Sequence, residues 1–146
     1  MSSLLLVCHV SPEIGIGHLS RLLALAETLR KDNNVIPEFL IFGDFIKKNE
    51  LADFNLHAFS LSDNFVTSVE RVMEAENFNA VVFDLYTKQD INNLDEFFLR
   101  LKECNIYLVS IDSLIEYCNI LDLIWIPSFN FDCSKYSNCT SVIKSG

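Results

Sequence analysis

The sequence predicts a three-layer α/β domain, in which a mainly parallel sheet of about five to seven strands is covered by helices on both faces. Three observations carry that prediction. Short apolar runs alternate with amphipathic stretches along the chain. The runs are continuous rather than alternating, as strands buried on both faces require. Two of them stop at an aspartate, and the first leads into a two-glycine turn that opens a helix.

That first run, residues 4–10 (LLLVCHV), is apolar except for His9. Beyond the turn, residues 19–31 carry Leu22, Leu23, Ala26 and Leu29 at helical spacing. Residues 35–42 form a second strand, and Pro37 puts its start outside the ladder or at an edge. Residues 45–53 read as a short helix and 56–61 as a short strand. Ser62 or Asp63 offers an N-cap for a helix reaching residue 76, with Phe65, Val69, Val72 and Met73 on one face. Residues 80–83 form a strand stopping at Asp84. Residues 90–104 form a helix through Leu94, Phe97, Phe98 and Leu101. Residues 106–111 form a strand stopping at Asp112, and 121–126 a last strand ended by Pro127. The remainder is polar and poorly periodic. The domain therefore spans 1–130, and 131–146 reads as a C-terminal tail or the start of a linker.

A chain of 146 residues, half of them hydrophobic and twelve of them phenylalanine, is one domain with a real core. Its formal net charge of −9, with the basic residues scattered, excludes nucleic acid as a partner. The N-terminus lacks the basic region of a signal peptide, and no apolar stretch approaches the roughly 20 residues of a membrane span. The five cysteines are odd in number and lack CxxC spacing, so the chain reads as reduced, free of disulfides and zinc, and cytoplasmic.

The chemistry gathers at Ser11-Pro12-Glu13-Ile14-Gly15-Ile16-Gly17-His18. Gly15 and Gly17 let backbone approach a ligand closely, and the helix start adds unpaired N–H groups and the positive end of a dipole. His18 stands at the mouth of this turn, where the dipole disfavours an imidazolium and suits a neutral base. The third glycine of a dinucleotide fingerprint is missing, as is the Lys-Ser/Thr pair of a P-loop, so neither NAD nor ATP is expected, and no cofactor. Arg21 either faces a ligand phosphate or simply occupies the first helical turn. Asp84, with Tyr86 two residues on, and Asp112 sit at strand ends, where doubly wound sheets place ligands. His18, Asp84 and Asp112 are thus expected to line one crevice, the bland alternative for each aspartate being a loop cap. His9 and His57 read as ordinary core or surface residues, and Cys8 as an inert buried thiol.

Residues 11–26 (SPEIGIGHLSRLLALA) closely resemble the start of the nucleotide-sugar hydrolase family of the pseudaminic-acid pathway, with its related surface-polysaccharide proteins. Val81-Val82-Phe83-Asp84-Leu85-Tyr86 is similar to that family's strand ending in D-x-Y, and Ile111-Asp112 follows in the same order. The resemblance implies a Rossmann-like domain, the N-terminal half of a B-type glycosyltransferase (GT-B) architecture. It implies that His18 acts on the water that attacks the anomeric carbon of a UDP-linked amino-deoxy sugar, releasing UDP without a metal. Gly15, Gly17, Arg21, Asp84, Tyr86 and Asp112 would bind substrate. Ser113 stands where the family often has a second acid, which puts a role for it in doubt. The family's uridine-diphosphate site lies largely in a C-terminal half, so the expected partners are a UDP-sugar or sugar acceptor and a C-terminal domain or separate nucleotide-binding subunit. Two further readings stay open: the acceptor-binding domain of a B-type glycosyltransferase, and a non-catalytic sugar-binding module.

Overall fold

The computed structural model describes residues 3–44, 49–86 and 91–146. Its elements are β1 (Leu4–Val10), α1 (Gly17–Asn33), β2 (Glu38–Gly43), β3 (Leu56–Phe59), α2 (Phe65–Ala75), β4 (Ala80–Asp84), α3 (Leu94–Glu103), β5 (Tyr107–Ile111), β6 (Leu123–Ile126) and β7 (Val142–Ser145). The seven strands form one sheet in the order β3-β2-β1-β4-β5-β6-β7. Every pairing is parallel. The sheet grows outward from β1 through β2 to β3, then resumes on the other side of β1 at β4. That reversal makes a topological switch point between β1 and β4, the place where doubly wound sheets put their ligands.

Period-two alternation sorts the strand residues between two cores. Leu6, Cys8 and Val10 of β1, Ile41 of β2 and Val82 of β4 pack with Leu19, Leu22 and Ala26 of α1. Leu5 and Val7, Leu40 and Phe42, and Val81 and Phe83 pack on the opposite side with α2 and α3. The second core is largely aromatic. Phe83 lies 5.3 Å from Phe98 and 6.3 Å from both Phe65 and Phe97, centroid to centroid. The same alternation puts Asp84 on the α1 side and His9 on the other.

Several boundaries differ from expectation for identifiable reasons. The N-cap of α2 is Asn64, whose side chain accepts from the Thr67 amide at 2.9 Å. Asp63 instead closes the preceding turn by accepting from the Ser60 amide. Capping at Asn64 places Phe65 at the first helical position, where it is buried. Of the helix expected over 45–53, residues 45–48 lie outside the described residues, and Asn49–Leu51 is a short 3-10 turn. The expected start of the third helix at Asp90 also lies outside them.

The C-terminal segment departs most. Residues 128–146, expected to be a loop or tail, contain β7, which extends the sheet alongside β6. The buried Ser141 hydroxyl reaches the carbonyls of Cys118 and Leu121, and the Trp125 indole donates to the Gly146 carbonyl at 3.1 Å. Cys118 and Cys139 are joined in a disulfide with Cα atoms 5.3 Å apart, which corrects the expectation of reduced cysteines. Their separation of 21 residues hid the pairing, because only the docking of β7 brings them together. Among the described residues no helix is long and apolar enough to cross a membrane.

Gly43, at the end of β2, has φ +119°, and a Cβ there would stand 1.8 Å from the Val10 carbonyl oxygen. Gly43→Ala should therefore destabilise the domain by at least about 2 kcal/mol, combining backbone strain with a clash against β1. Urea denaturation of the two proteins measures it.

Candidate active site

The turn after β1 closes on itself before α1 begins. The Gly15 amide donates to the Ser11 carbonyl at 2.7 Å, and the Ile14 amide donates to the Ser11 hydroxyl at 3.1 Å. Gly15 has φ +83°, a left-handed conformation that favours glycine. Gly17 opens α1 and differs in kind: its φ is ordinary, and a Cβ would meet nothing within 4 Å. Neither backbone nor packing demands a glycine there. Ile16, at the N-cap, supplies no side-chain hydrogen bond to the first turn.

His18 and Arg21, one turn apart on α1, both point at the end of β4. His18 Nδ1 lies 2.5 Å from Asp84 Oδ1. Arg21 grips the same carboxylate at two points, Nε to Oδ2 at 2.8 Å and a terminal nitrogen to Oδ1 at 2.7 Å. Its other terminal nitrogen donates to Asp112 Oδ2 at 3.0 Å. Asp84 is fully buried, whereas the side chains of His18 and Arg21 are 17% and 31% exposed. A carboxylate only accepts, so the 2.5 Å contact makes Nδ1 the donor; the Arg21 terminal nitrogen 3.2 Å from the same Nδ1 can only donate, and it spends its proton on Asp84 Oδ1 instead. Burial works against the charge on Arg21, but its hydrogen bonds to Asp84 and Asp112 prevail and hold the guanidinium more firmly protonated than usual.

Asp112 follows the end of β5 with φ +60°, and its amide donates to the Trp125 carbonyl. This conformation turns its carboxylate back towards Arg21. The Tyr86 ring meets the His18 ring edge-on at 6.5 Å. The fold thus brings together His18, Arg21, Asp84, Tyr86 and Asp112, beside the turn that holds Gly15 and Gly17. Ser113 is elsewhere: it is buried, and its hydroxyl donates to the Ile111 carbonyl. Cys8, fully buried, has its thiol pushed far up by burial and then by Asp84, so it is inert. Among the described residues no group of three or more His, Cys, Asp or Glu side chains could hold a metal ion.

Two relationships were not foreseen. Arg21 is a strut between two strand-end aspartates rather than a free cation, a role invisible until β4 and β5 lie side by side. His9 is not an ordinary core residue: its Nδ1 accepts from the Tyr86 amide at 3.2 Å. It thereby fastens the segment that carries the Tyr86 ring. Burial, and secondarily the nearby His18, lowers the His9 pKa to about 4.

The chain matches no protein-family model, no curated protein and no solved structure.

Removing a cation from a sealed carboxylate leaves an uncompensated buried charge. Arg21→Met should therefore cost roughly 3 kcal/mol. Asp112, half exposed, is a peripheral partner, and Asp112→Asn should cost less than about 1 kcal/mol. Equilibrium unfolding of the two variants gives the comparison.

His9 yields a pH dependence. Its folded pKa lies below the unfolded 6.5, so below 6.5 the unfolded chain takes up a proton that the folded chain refuses. The stabilisation is complete above 6.5 and is lost as pH falls towards about 4, by roughly 3 kcal/mol in all. The unfolding free energy of the wild type should fall more steeply over this window than that of His9→Gln.

Proposed function

We propose that this domain carries the water-activating half of a nucleotide-sugar enzyme, one that hydrolyses a UDP-linked amino-deoxy sugar in the making of surface or flagellin glycans. The observation that supports it best is the His18–Asp84 contact at the switch point, with Nδ1 committed to a buried carboxylate. In this reading Nε2 takes a proton from water as the water oxygen bonds to the anomeric carbon. The bond from that carbon to the diphosphate oxygen breaks, and UDP leaves with the electron pair. Asp84 holds the ring in the required tautomer and steadies the imidazolium that forms. Arg21 balances the charge of Asp84, so the carboxylate orients the ring without competing for its proton.

The surroundings suit this role. Gly17 leaves space above an uncapped helix start, where a ligand oxygen can approach backbone N–H groups. Tyr86 offers an aromatic edge and a hydroxyl beside His18. A second polypeptide or domain would contribute the uridine-diphosphate site, as the resemblance of residues 11–26 implies. The reading makes the fold a GT-B N-terminal half and the turn its sugar-facing wall.

The test couples this chain to such a nucleotide-binding half and measures UDP released from UDP-linked amino sugars, with and without a sugar acceptor. Release that needs no acceptor is expected. His18→Ala should lower turnover by about 10² to 10⁴ while leaving the unfolding midpoint nearly unchanged. Full turnover in His18→Ala would refute the assignment, and release only with acceptor would make the protein a transferase.

A further inference from the structure

We propose a second ligand site, on the face of the sheet opposite Asp84: a cleft between the starts of α2 and α3 that takes a neutral polyhydroxylated molecule, such as a single sugar ring. It does not depend on the role assigned to His18. The cleft has a volume of about 520 Å³, within the roughly 300–1,000 Å³ of small-molecule sites. It lies beyond the carboxyl ends of β1 and β2, with the largely buried Phe42 and Phe65 beneath a mostly polar lining.

The feature that points to a ligand is His9, which lines this cleft and is only 4% exposed. A backbone amide only donates, so the hydrogen bond from Tyr86 fixes Nδ1 as the acceptor and puts the ring proton on Nε2. Among the described residues nothing accepts that proton. Nor is any side-chain nitrogen or oxygen among them both sealed away and unpartnered, so Nε2 opens to the cleft. A donor held this deep, with its tautomer fixed from behind, is arranged to meet an acceptor that enters. The lowered pKa of His9 keeps that donor neutral across the physiological range.

The rim sets the ligand's chemistry. Among the described residues of the rim, Asp63, Glu70 and Glu96 outnumber Arg100, and Arg100 is spent on Glu70 at 2.6 and 3.1 Å. An anion would be repelled despite the two helix starts. The Asn93 side chain makes no cap hydrogen bond at the start of α3, so its amide is available. Carboxylates that accept, amides that do both and a histidine that donates together match hydroxyl groups, which do both.

The experiment uses the whole chain labelled with ¹⁵N and follows backbone, carboxamide and imidazole signals during titration with N-acetylglucosamine. Saturable shifts are expected at His9 Nε2, at the Asn93 carboxamide and at the first turns of α2 and α3. Glucose 6-phosphate, as the anionic counterpart, should bind at least about tenfold more weakly. Glu96→Gln, at an exposed position, should weaken binding about tenfold through loss of a charge-assisted hydrogen bond, with the unfolding midpoint unchanged. Asn92→Trp, which blocks the exposed rim, should abolish it. The proposal is overturned if N-acetylglucosamine gives no saturable shift, if shifts gather around His18 and Asp84 instead, or if glucose 6-phosphate binds more tightly.

Discussion

A carboxylate with no exposure to solvent has to be met by donors that replace its lost hydration, and in this domain Asp84 is such a group. Three donors from α1 converge on its two oxygens, one from His18 and two from Arg21. Much of the local geometry follows from satisfying that charge. Helix α1 must begin where His18 and Arg21, three residues apart, share one face towards β4. The turn after β1 must then be short and closed, which Ser11 and Gly15 accomplish. Strand β5 must end beside β4, so that Asp112 can occupy the remaining arm of Arg21. The stability of this cluster and the chemistry proposed for it therefore rest on the same contact.

The sheet topology separates this polar cluster from the aromatic core. Asp84 and Phe83 are neighbours in sequence but face opposite layers, so a buried ion cluster and a cluster of phenylalanines stand back to back. His9 shows the same division. It points away from His18, yet its hydrogen bond to the Tyr86 amide ties the aromatic layer to the residue whose ring flanks His18. The His18–Asp84 cluster on one face and the His9 ring on the other are thus linked through Tyr86.

The fold was legible because its signals are local. Continuous apolar runs, helical spacing and strands stopping at aspartate gave six of the strands and the three helices in their order. The convergence of His18, Asp84 and Asp112 followed from topology, since strand ends of a parallel sheet gather at one edge. What stayed hidden depends on contacts distant in sequence. Strand β7 is short and polar, and holds its place through Ser141, the Cys118–Cys139 disulfide and Trp125, none of which has a local signature. Arg21 shows its role only when two aspartates 63 and 91 residues away arrive beside it. His9 looked like a core residue because its partner is a backbone amide 77 residues on.

The central claim is that Asp84 fixes the tautomer of His18, and imidazole ¹⁵N spectroscopy of the whole chain near neutral pH tests it most directly. The account predicts a protonated Nδ1 with a strongly deshielded proton and an unprotonated Nε2, an arrangement that Asp84→Asn weakens. A neutral His18 carrying its proton on Nε2, or a spectrum unchanged in Asp84→Asn, would contradict it.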